Sequence, residues 1–228
     1  MEIMQISPVE LLTRCLLFKG VSRSEIEPLA LQCAWLELRK YQPLFFQGDP
    51  VDQVYLVQAG LVKVYRLDPR GKRQIVLHQS FPGQCVAALA VFLQKPTYPC
   101  SAEAAEASRV LVIPAEALGQ LAQKNVAFAN NMLETASQHT RQIVQVLDRM
   151  VFCDVDSRLA EYLLSMTKTY GQGFKLPTNQ EIAAVVGTTP EPVSRKLGHF
   201  SQQGWIAVRN RKLSILNKAA LLRLRFSY

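Results

Sequence analysis

The sequence predicts an α+β protein in three consecutive parts: a β-rich N-terminal domain, one long helix, and a C-terminal winged helix-turn-helix. Three observations predict this order. Short apolar segments separated by turns fill residues 41–114, an apolar heptad pattern runs through residues 126–150, and two helices joined by a Gly-containing turn occupy residues 178–203. We therefore expect domains at residues 1–125, 126–153 and 154–228.

Length and composition are those of an ordinary globular protein. The chain has 228 residues, of which 49% are apolar and 19% charged, and no apolar run approaches the roughly 18 residues that span a bilayer. Residues 1–8 lack the basic-then-apolar order of a secretion signal. We therefore expect a cytoplasmic protein that has no membrane partner.

The net charge of +8 is concentrated in the C-terminal third. Residues 154–228 carry 11 Lys or Arg against 5 Asp or Glu, whereas residues 1–153 carry 15 against 13. A basic domain that follows a nearly neutral one indicates a polyanionic partner, most simply nucleic acid. A basic surface without such a partner is the alternative that charge alone leaves open.

The sequence contains no recognisable pattern for a disulfide framework, a metal site or an active site. The cysteines are odd in number and widely spaced, and the histidines do not cluster near them. We expect small buried thiols and no bound metal. Paired carboxylates, a Ser-His-Asp set and a phosphate-binding loop are also missing, so an enzyme is the weaker hypothesis. The residues concerned are Cys15, Cys33, Cys85, Cys100 and Cys153, with His78, His139 and His199.

The N-terminal domain is predicted to begin with short helices over residues 9–40, because Val9, Leu12 and Leu16 recur near the helical period. From Tyr41 to Pro114, β-branched and aromatic segments follow one another at short intervals. Such spacing indicates an antiparallel sandwich or barrel. The turns fall at Gln47–Pro50, Asp68–Gly71 and Phe81–Gly83.

The long helix carries a heptad repeat over more than three heptads. Seven of its eight core positions are apolar, which favours a parallel coiled-coil homodimer. An amphipathic helix packed on its own domain is the alternative. The a positions are Val126, Leu133, Thr140 and Leu147, and the d positions are Ala129, Ala136, Ile143 and Met150. Residues 151–156 are the predicted hinge, and a further helix is expected from about Ser157 to Thr169.

The helix-turn-helix is predicted from its capping and turn residues. Thr178 to Glu181 has the sequence of a capping box, Gly187 suits a left-handed helix end, and Pro190 suits the first turn of the next helix. That second helix is expected to end near Gln203. A small Ala183 four residues before the glycine allows the two helices to cross closely.

The second helix presents residues whose chemistry suits base edges. Val193 and Leu197 face inward at helical spacing, which leaves Glu191, Ser194 and Arg195 on the outward face. Arg can bond guanine or a phosphate, Glu can accept from cytosine, and Ser can do either. A solvated face on which Glu and Arg simply pair is the alternative.

A β-hairpin with a basic tip follows at Arg209–Lys212, between two apolar segments, and we expect it to form a wing that contacts phosphates. A short helix over Lys218–Phe226 is expected to close the chain. The predicted DNA-contacting residues are Thr178, Thr189, Glu191, Ser194, Arg195, Lys196, Arg209, Arg211 and Lys212.

These segments resemble the CRP/FNR superfamily of bacterial transcription regulators over nearly the whole chain. Residues 44–50, 54–57 and 60–66 are similar to that family's sensor barrel, and Pro190–Arg195 is similar to the FNR-type recognition helix. The resemblance implies a cyclic-nucleotide-binding-like jelly roll (double-stranded β-helix), a dimerisation helix and a winged helix. It also implies RNA polymerase as a partner and a DNA palindrome of the kind TTGAT-N4-ATCAA. Pro192 departs from the usual recognition-helix sequence.

The sensor region departs from the family's cyclic-nucleotide binders. Their Gly-Glu and Arg-Ser or Arg-Thr pairs are matched here by Ala87-Ala88 and Pro99-Cys100, so the resemblance does not imply cyclic AMP. Cys15 and Cys33 are too few for the iron–sulfur subgroup. Thr97–Ala104 is more similar to DNR-like, nitric-oxide-responsive branches, some of which bind haem. The expected effector pocket comprises Ala87, Ala88, Leu89, Tyr98, Cys100 and Ser101.

The sequence therefore predicts a homodimeric, effector-gated activator that reads a palindrome in double-stranded DNA. The effector is a small molecule or a gas. No cofactor is predicted from the residues, and haem is the alternative that the resemblance leaves open. A non-specific architectural DNA binder is a further alternative.

Overall fold

The computed structural model describes residues 6–68, 70–71 and 74–224. The chain divides into two compact units, and each is described separately below. The N-terminal unit consists of Met1–Arg66 and Leu77–Arg141, and the C-terminal unit consists of Leu67–Val76 and Gln142–Tyr228. The domain boundaries expected from the sequence remain a prediction. Pro69 in the predicted hairpin turn and Phe226 at the end of the last helix lie outside the described residues.

The N-terminal unit contains, wholly or in part, four helices, two 3₁₀ turns and eight strands among the described residues. The helices are α1 (Pro8–Arg14), α2 (Arg23–Ala30), α3 (Ala115–Lys124) and α4 (Val126–Phe152), and the 3₁₀ turns span Leu16–Phe18 and Ala88–Phe92. The strands are β1 (Ala34–Leu38), β2 (Pro43–Phe45), β3 (Gln53–Ala59), β4 (Val62–Leu67), β5 (Gln74–Ser80), β6 (Cys85–Val86), β7 (Ser101–Ala104) and β8 (Ser108–Pro114).

The strands form two antiparallel four-stranded sheets, in the orders β1-β8-β3-β6 and β2-β7-β4-β5. Both sheets contribute side chains to one buried cluster, with Val57 and Val110 from the first sheet and Val62 and Ala104 from the second. The predicted β-rich jelly roll is therefore confirmed. This packing of two sheets over a shared apolar core is typical of double-sheet β folds.

The prediction of helices throughout residues 9–40 is wrong for its last part, because Ala34–Leu38 is the strand β1. It pairs antiparallel with β8, and Trp35 lies opposite Leu111. Pairing with a strand far along the chain outweighs the local helical pattern.

Helix α4 is a single helix of 27 residues, so it is roughly 40 Å long. Its first turns pack on the N-terminal unit. Phe128 is fully buried, and its ring lies 5.2 Å from that of Phe18. Asn131 donates from Nδ2 to the carbonyl oxygens of Leu17 and Lys19, at 3.0 and 2.7 Å. No helix among the described residues is both long and apolar enough to cross a membrane.

The C-terminal unit is a winged helix-turn-helix, as predicted. Its elements are α5 (Val155–Tyr170), β9 (Phe174–Lys175), α6 (Asn179–Val186), α7 (Pro190–Gln202), β10 (Ile206–Arg209), β11 (Lys212–Ile215) and α8 (Lys218–Leu224). The strands form one sheet in the order β10-β11-β9. Helix α5 starts two residues earlier than expected because Asp154 caps it, accepting from the Ser157 amide at 2.7 Å. Leu159, Leu163, Val193, Phe200 and Leu213 form the buried core.

Candidate nucleic-acid interface

The start of α6 is fixed by the predicted capping box. The Thr178 hydroxyl accepts from the Glu181 amide at 3.2 Å, and the Thr178 amide donates to the Glu181 carboxylate at 2.7 Å. This arrangement satisfies two backbone donors at the helix start. Thr178 is exposed, but its hydroxyl also donates to Glu181 Oε2 at 2.9 Å, so its first role is structural.

The turn between α6 and α7 requires a residue without a side chain. Gly187 ends α6 with φ +74°, and its amide donates to the Ala183 carbonyl at 2.8 Å. Ala183 is buried, and its small side chain allows α6 and α7 to cross closely. A methyl group added at Gly187 would meet the Cε and Sδ atoms of Met150. Met150, the last predicted coiled-coil position, therefore lies against this turn.

Helix α7 begins with two prolines that a helix start tolerates. Pro190 occupies the first helical position and Pro192 the third, where backbone N–H groups have no partner within the helix. Pro192 is thus accommodated without a break in the helix. Thr189 is the N-cap residue of α7 and is half-buried. Its side chain makes no capping hydrogen bond.

Helix α7 has one buried face and one exposed face. Val193, Leu197 and Phe200 pack in the core of the unit. Glu191, Ser194 and Arg195 are exposed. Within the described residues, none of these three side chains has a hydrogen bond or an ion pair, so Glu191 and Arg195 are not neutralised by each other. The outward face therefore presents an acceptor, a hydroxyl and a bidentate donor to an external partner.

Lys196 does not belong with those outward-facing residues. Its Nζ atom lies 2.7 Å from Asp156 Oδ2 in the first turn of α5, and both side chains are partly buried. The ammonium group is therefore already neutralised by a carboxylate that lies 40 residues away in sequence. The DNA contact of Lys196 stays a prediction, and this ion pair makes Lys196 a weaker candidate than the unpaired Arg195.

The wing is a tight hairpin between β10 and β11. Arg209 pairs with Lys212 across it, and the two turn residues Asn210 and Arg211 have φ values of +50° and +59°. Two positive φ values are typical of a type I′ turn, which matches the twist of the strands. Arg209, Arg211 and Lys212 are all exposed, so the tip presents three cations.

The predicted sensor pocket consists largely of side chains that the barrel itself uses. The Tyr98 ring stacks on Phe45 at 3.7 Å between centroids, and its hydroxyl donates to the Gln53 carbonyl at 2.6 Å. Ser101 is buried, and its hydroxyl accepts from the Gln47 amide at 2.9 Å. Both residues hold strands and turns together.

The other predicted pocket residues provide little polarity. Ala87 has φ +67° and caps the 3₁₀ turn that starts with the buried Ala88. Leu89 and Cys100 are half-buried. Burial raises the pKa of Cys100, and nearby Arg66 opposes this effect. A thiol is therefore the only titratable group that these four side chains contribute.

The structure brings together two histidines that were not assigned to the pocket. His78 on β5 and His139 on α4 have ring centroids 5.1 Å apart. Burial, with a contribution from the neighbouring His139, lowers the pKa of His78 to about 4, and burial also lowers the pKa of His139. Both imidazoles are therefore neutral at pH 7. No local sequence pattern predicts this contact, because strand and helix meet only in the fold.

Five of the eight predicted coiled-coil positions of α4 are exposed. Val126, Leu133, Ile143 and Leu147 are between 56% and 76% exposed, although all four are large and apolar. Thr140 is also exposed, whereas Ala129 and Ala136 are half-buried. An apolar stripe of this length on one helix is unusual for a surface that remains in water.

Two family models match the chain, one in part of each unit. The model described as cyclic nucleotide-binding domain matches residues 35–125. The model described as Crp-like helix-turn-helix domain matches residues 157–224.

Individual relatives extend the match over nearly the whole chain. The CRP-like cAMP-activated global transcriptional regulator of Mycobacterium tuberculosis is 26% identical over 221 residues, which are 94% of this chain and 98% of the relative. The fumarate and nitrate reduction regulatory protein of Escherichia coli is 28% identical over 195 residues, 82% of this chain and 76% of the relative. A solved crp/fnr-family regulator from Eubacterium rectale shares the fold, with a TM-score of 0.81 at 21% identity over 92% of this chain and 98% of that one.

Proposed function

This chain belongs to the CRP/FNR superfamily of DNA-binding transcription regulators, and we propose that it acts as a homodimer whose α7 helices read a DNA palindrome. The observation that carries the proposal is the outward face of α7. There, Glu191, Ser194 and Arg195 are exposed and have no partner within the described residues, while the opposite face is buried. These are the functional groups that recognise cytosine and guanine edges in a major groove.

The wing is the second part of the proposed interface. Arg209, Arg211 and Lys212 give it three cations at the tip of a short hairpin, and Thr178 and Thr189 lie at the starts of the two helices. Cations at such positions contact phosphates, which fixes the register of the protein on the duplex but carries no sequence information. We assign base recognition to α7 and backbone contact to the wing.

Fluorescence anisotropy with two labelled duplexes tests this function. One duplex contains TTGAT-N4-ATCAA and the other has the same bases in scrambled order. We expect binding to the palindrome to be at least about 10³-fold tighter at physiological salt. Equal affinity for both duplexes would instead favour a non-specific architectural protein, and turnover of a small molecule would favour an enzyme.

The proposed dimer is built along α4. Leu133 and Ile143 are exposed heptad positions, and a parallel partner helix would cover them. Two recognition helices would then meet successive major grooves about 34 Å apart, which requires a palindromic site. Light scattering after size-exclusion chromatography tests this dimer. We expect Leu133→Asp to give monomers. Gln138→Asp changes an exposed residue outside the heptad core positions and should leave a dimer.

We propose that the effector is not cyclic AMP, although the mycobacterial relative is described as cAMP-activated. Ala87, Ala88, Pro99 and Cys100 offer neither a carboxylate for a ribose nor a cation for a phosphate. Equilibrium dialysis with labelled cyclic AMP is expected to show no saturable binding. Saturable micromolar binding would contradict this assignment and would require another cation as the phosphate ligand.

A gas or redox effector acting through haem is the second candidate, and the His78–His139 pair is the observation that favours it. The two ring centroids lie 5.1 Å apart, and either imidazole would be able to hold a haem iron through a ring nitrogen. Bound haem would supply an iron that binds nitric oxide. Absorption spectra of anaerobic protein with ferrous haem, before and after nitric oxide, test this candidate. A sharp haem band that shifts with nitric oxide supports it, and no saturable uptake removes it.

We further propose that the protein activates transcription through contact with RNA polymerase. An effector that favours one arrangement of α4 over another would couple sensing to DNA binding, provided that its affinity differs between the two arrangements. Transcription in vitro from a promoter with an upstream palindrome is expected to rise when the protein is added. A fall would indicate a repressor.

A further inference from the structure

Two cysteines that lie far apart in sequence meet in the core of the N-terminal unit. Cys15 ends α1 and Cys85 starts β6, and their sulfur atoms are 3.9 Å apart. Cys15 is buried and Cys85 is half-buried. The other cysteines have no such neighbour among the described residues, and the Cys33 thiol donates to the Leu29 carbonyl of its own turn.

We propose that Cys15 and Cys85 are an oxidisable dithiol, which a peroxide converts into a disulfide. A disulfide requires sulfur atoms about 2 Å apart, so the two side chains must close a gap of roughly 2 Å by rotation and a small backbone shift. A buried apolar thiol pair without redox chemistry is the ordinary alternative, because free cysteines often serve as small core residues.

The chemistry assigns a different role to each sulfur. The hydrogen bond between the two thiols lowers the pKa of Cys15, whereas that same bond and burial raise the pKa of Cys85. The Cys15 thiolate therefore attacks the terminal peroxide oxygen, which breaks the O–O bond and gives a sulfenic acid. The departing hydroxide or alkoxide takes a proton from water. The Cys85 thiol then attacks the sulfenic sulfur, an S–S bond forms and water leaves. Two electrons pass from the thiols to the peroxide, and a low-molecular-weight thiol can return them.

The position of the pair connects it to the long helix. The 3₁₀ turn Leu16–Phe18 follows Cys15 directly, and this turn with Lys19 makes the ring contact to Phe128 and accepts both hydrogen bonds from Asn131. Movement of Cys15 toward Cys85 therefore pulls on the segment that holds the first turns of α4. The disulfide would change how tightly these turns are held.

Peptide mapping of the full chain tests the site. The reduced protein is treated with a few equivalents of hydrogen peroxide, alkylated and digested without reductant. We expect a Cys15–Cys85 cross-linked peptide that dithiothreitol removes. Cys33→Ala should form it equally well, and Cys85→Ala should not. Disulfides between other cysteines, or overoxidised thiols without a cross-link, would overturn the proposal. Because wild-type mapping alone decides this point, poor folding of a variant does not affect the conclusion.

Amide hydrogen exchange tests the connection to α4. We expect the exchange rate of peptides covering residues 126–134 to change at least threefold on oxidation, in the wild type and in Cys33→Ala but not in Cys85→Ala. Unchanged exchange in a fully cross-linked wild type would overturn this connection. Neither measurement involves DNA, so the result does not depend on the proposed function.

Discussion

The two units use their polar side chains in opposite ways. On α7 and at the tip of the wing, the polar groups point outward, and Arg195 and Arg209 have no partner within the described residues. In the N-terminal unit, the polar atoms of Tyr98 and Ser101 form hydrogen bonds that hold the barrel together. The side chains on α7 and the wing therefore remain available to an external partner, whereas the polar atoms of Tyr98 and Ser101 already have partners within the barrel. The set of DNA-contacting residues and the set of effector-pocket residues both stay predictions.

The largest expected effect concerns the core of the N-terminal unit. Phe128→Ala removes a fully buried ring that contacts Phe18, so we expect unfolding free energy to fall by about 3–5 kcal/mol. Urea denaturation measures this change. Gln138→Ala, at an exposed position of the same helix outside its heptad core positions, is the matched control. A loss below 1 kcal/mol for Phe128→Ala would show that α4 is not anchored there.

The His78–His139 pair predicts a pH dependence of stability. The folded-state pKa of His78, about 4, lies below its ordinary value of 6.5, so its contribution is fully present above pH 6.5. It is lost as the pH falls from about 6.5 toward 4, by about 1–3 kcal/mol after allowance for solvent screening. His78→Gln should flatten this part of the profile, whereas the exposed His199→Gln should not. Identical profiles for all three proteins would contradict the burial of His78.

The wing offers a test in which stability and affinity move in opposite directions. Arg211 has a positive φ, which costs a residue with a side chain about 1 kcal/mol relative to glycine. Arg211→Gly should therefore raise unfolding free energy by about that amount. The same change should weaken binding to all duplexes. It should also reduce the slope of the logarithm of the binding constant against the logarithm of salt concentration by about one, because one phosphate contact is lost. Arg209→Gly, in the strand, should weaken binding without any gain in stability.

These contrasts also show what the sequence was able to predict. The sequence correctly predicts the capping box at Thr178, the turn at Gly187 and the hairpin at Arg209–Lys212. Each of these features depends on residues that are about three or four positions apart in sequence. Strand β1 was not, since it forms by pairing with β8. The pairing of Lys196 with Asp156 could not be predicted either, because it exists only once α7 packs on α5.

The smallest expected effect is that of this ion pair. Lys196→Met should lower unfolding free energy by less than about 1 kcal/mol, because both side chains are partly exposed and water screens them. A double-mutant cycle with Asp156→Asn measures the coupling. Base discrimination should remain intact in Lys196→Met, and its loss would support the prediction that Lys196 contacts DNA.

The central claim is that the outward face of α7 reads base sequence while the wing binds the backbone. The most direct test measures the binding of Arg195→Ala and Arg209→Ala to the palindrome and to duplexes with single base substitutions. We expect Arg195→Ala to lose about 1–3 kcal/mol of specific binding and its discrimination at one base pair, and Arg209→Ala to weaken binding to every duplex equally. Full discrimination by Arg195→Ala at every position would contradict the claim.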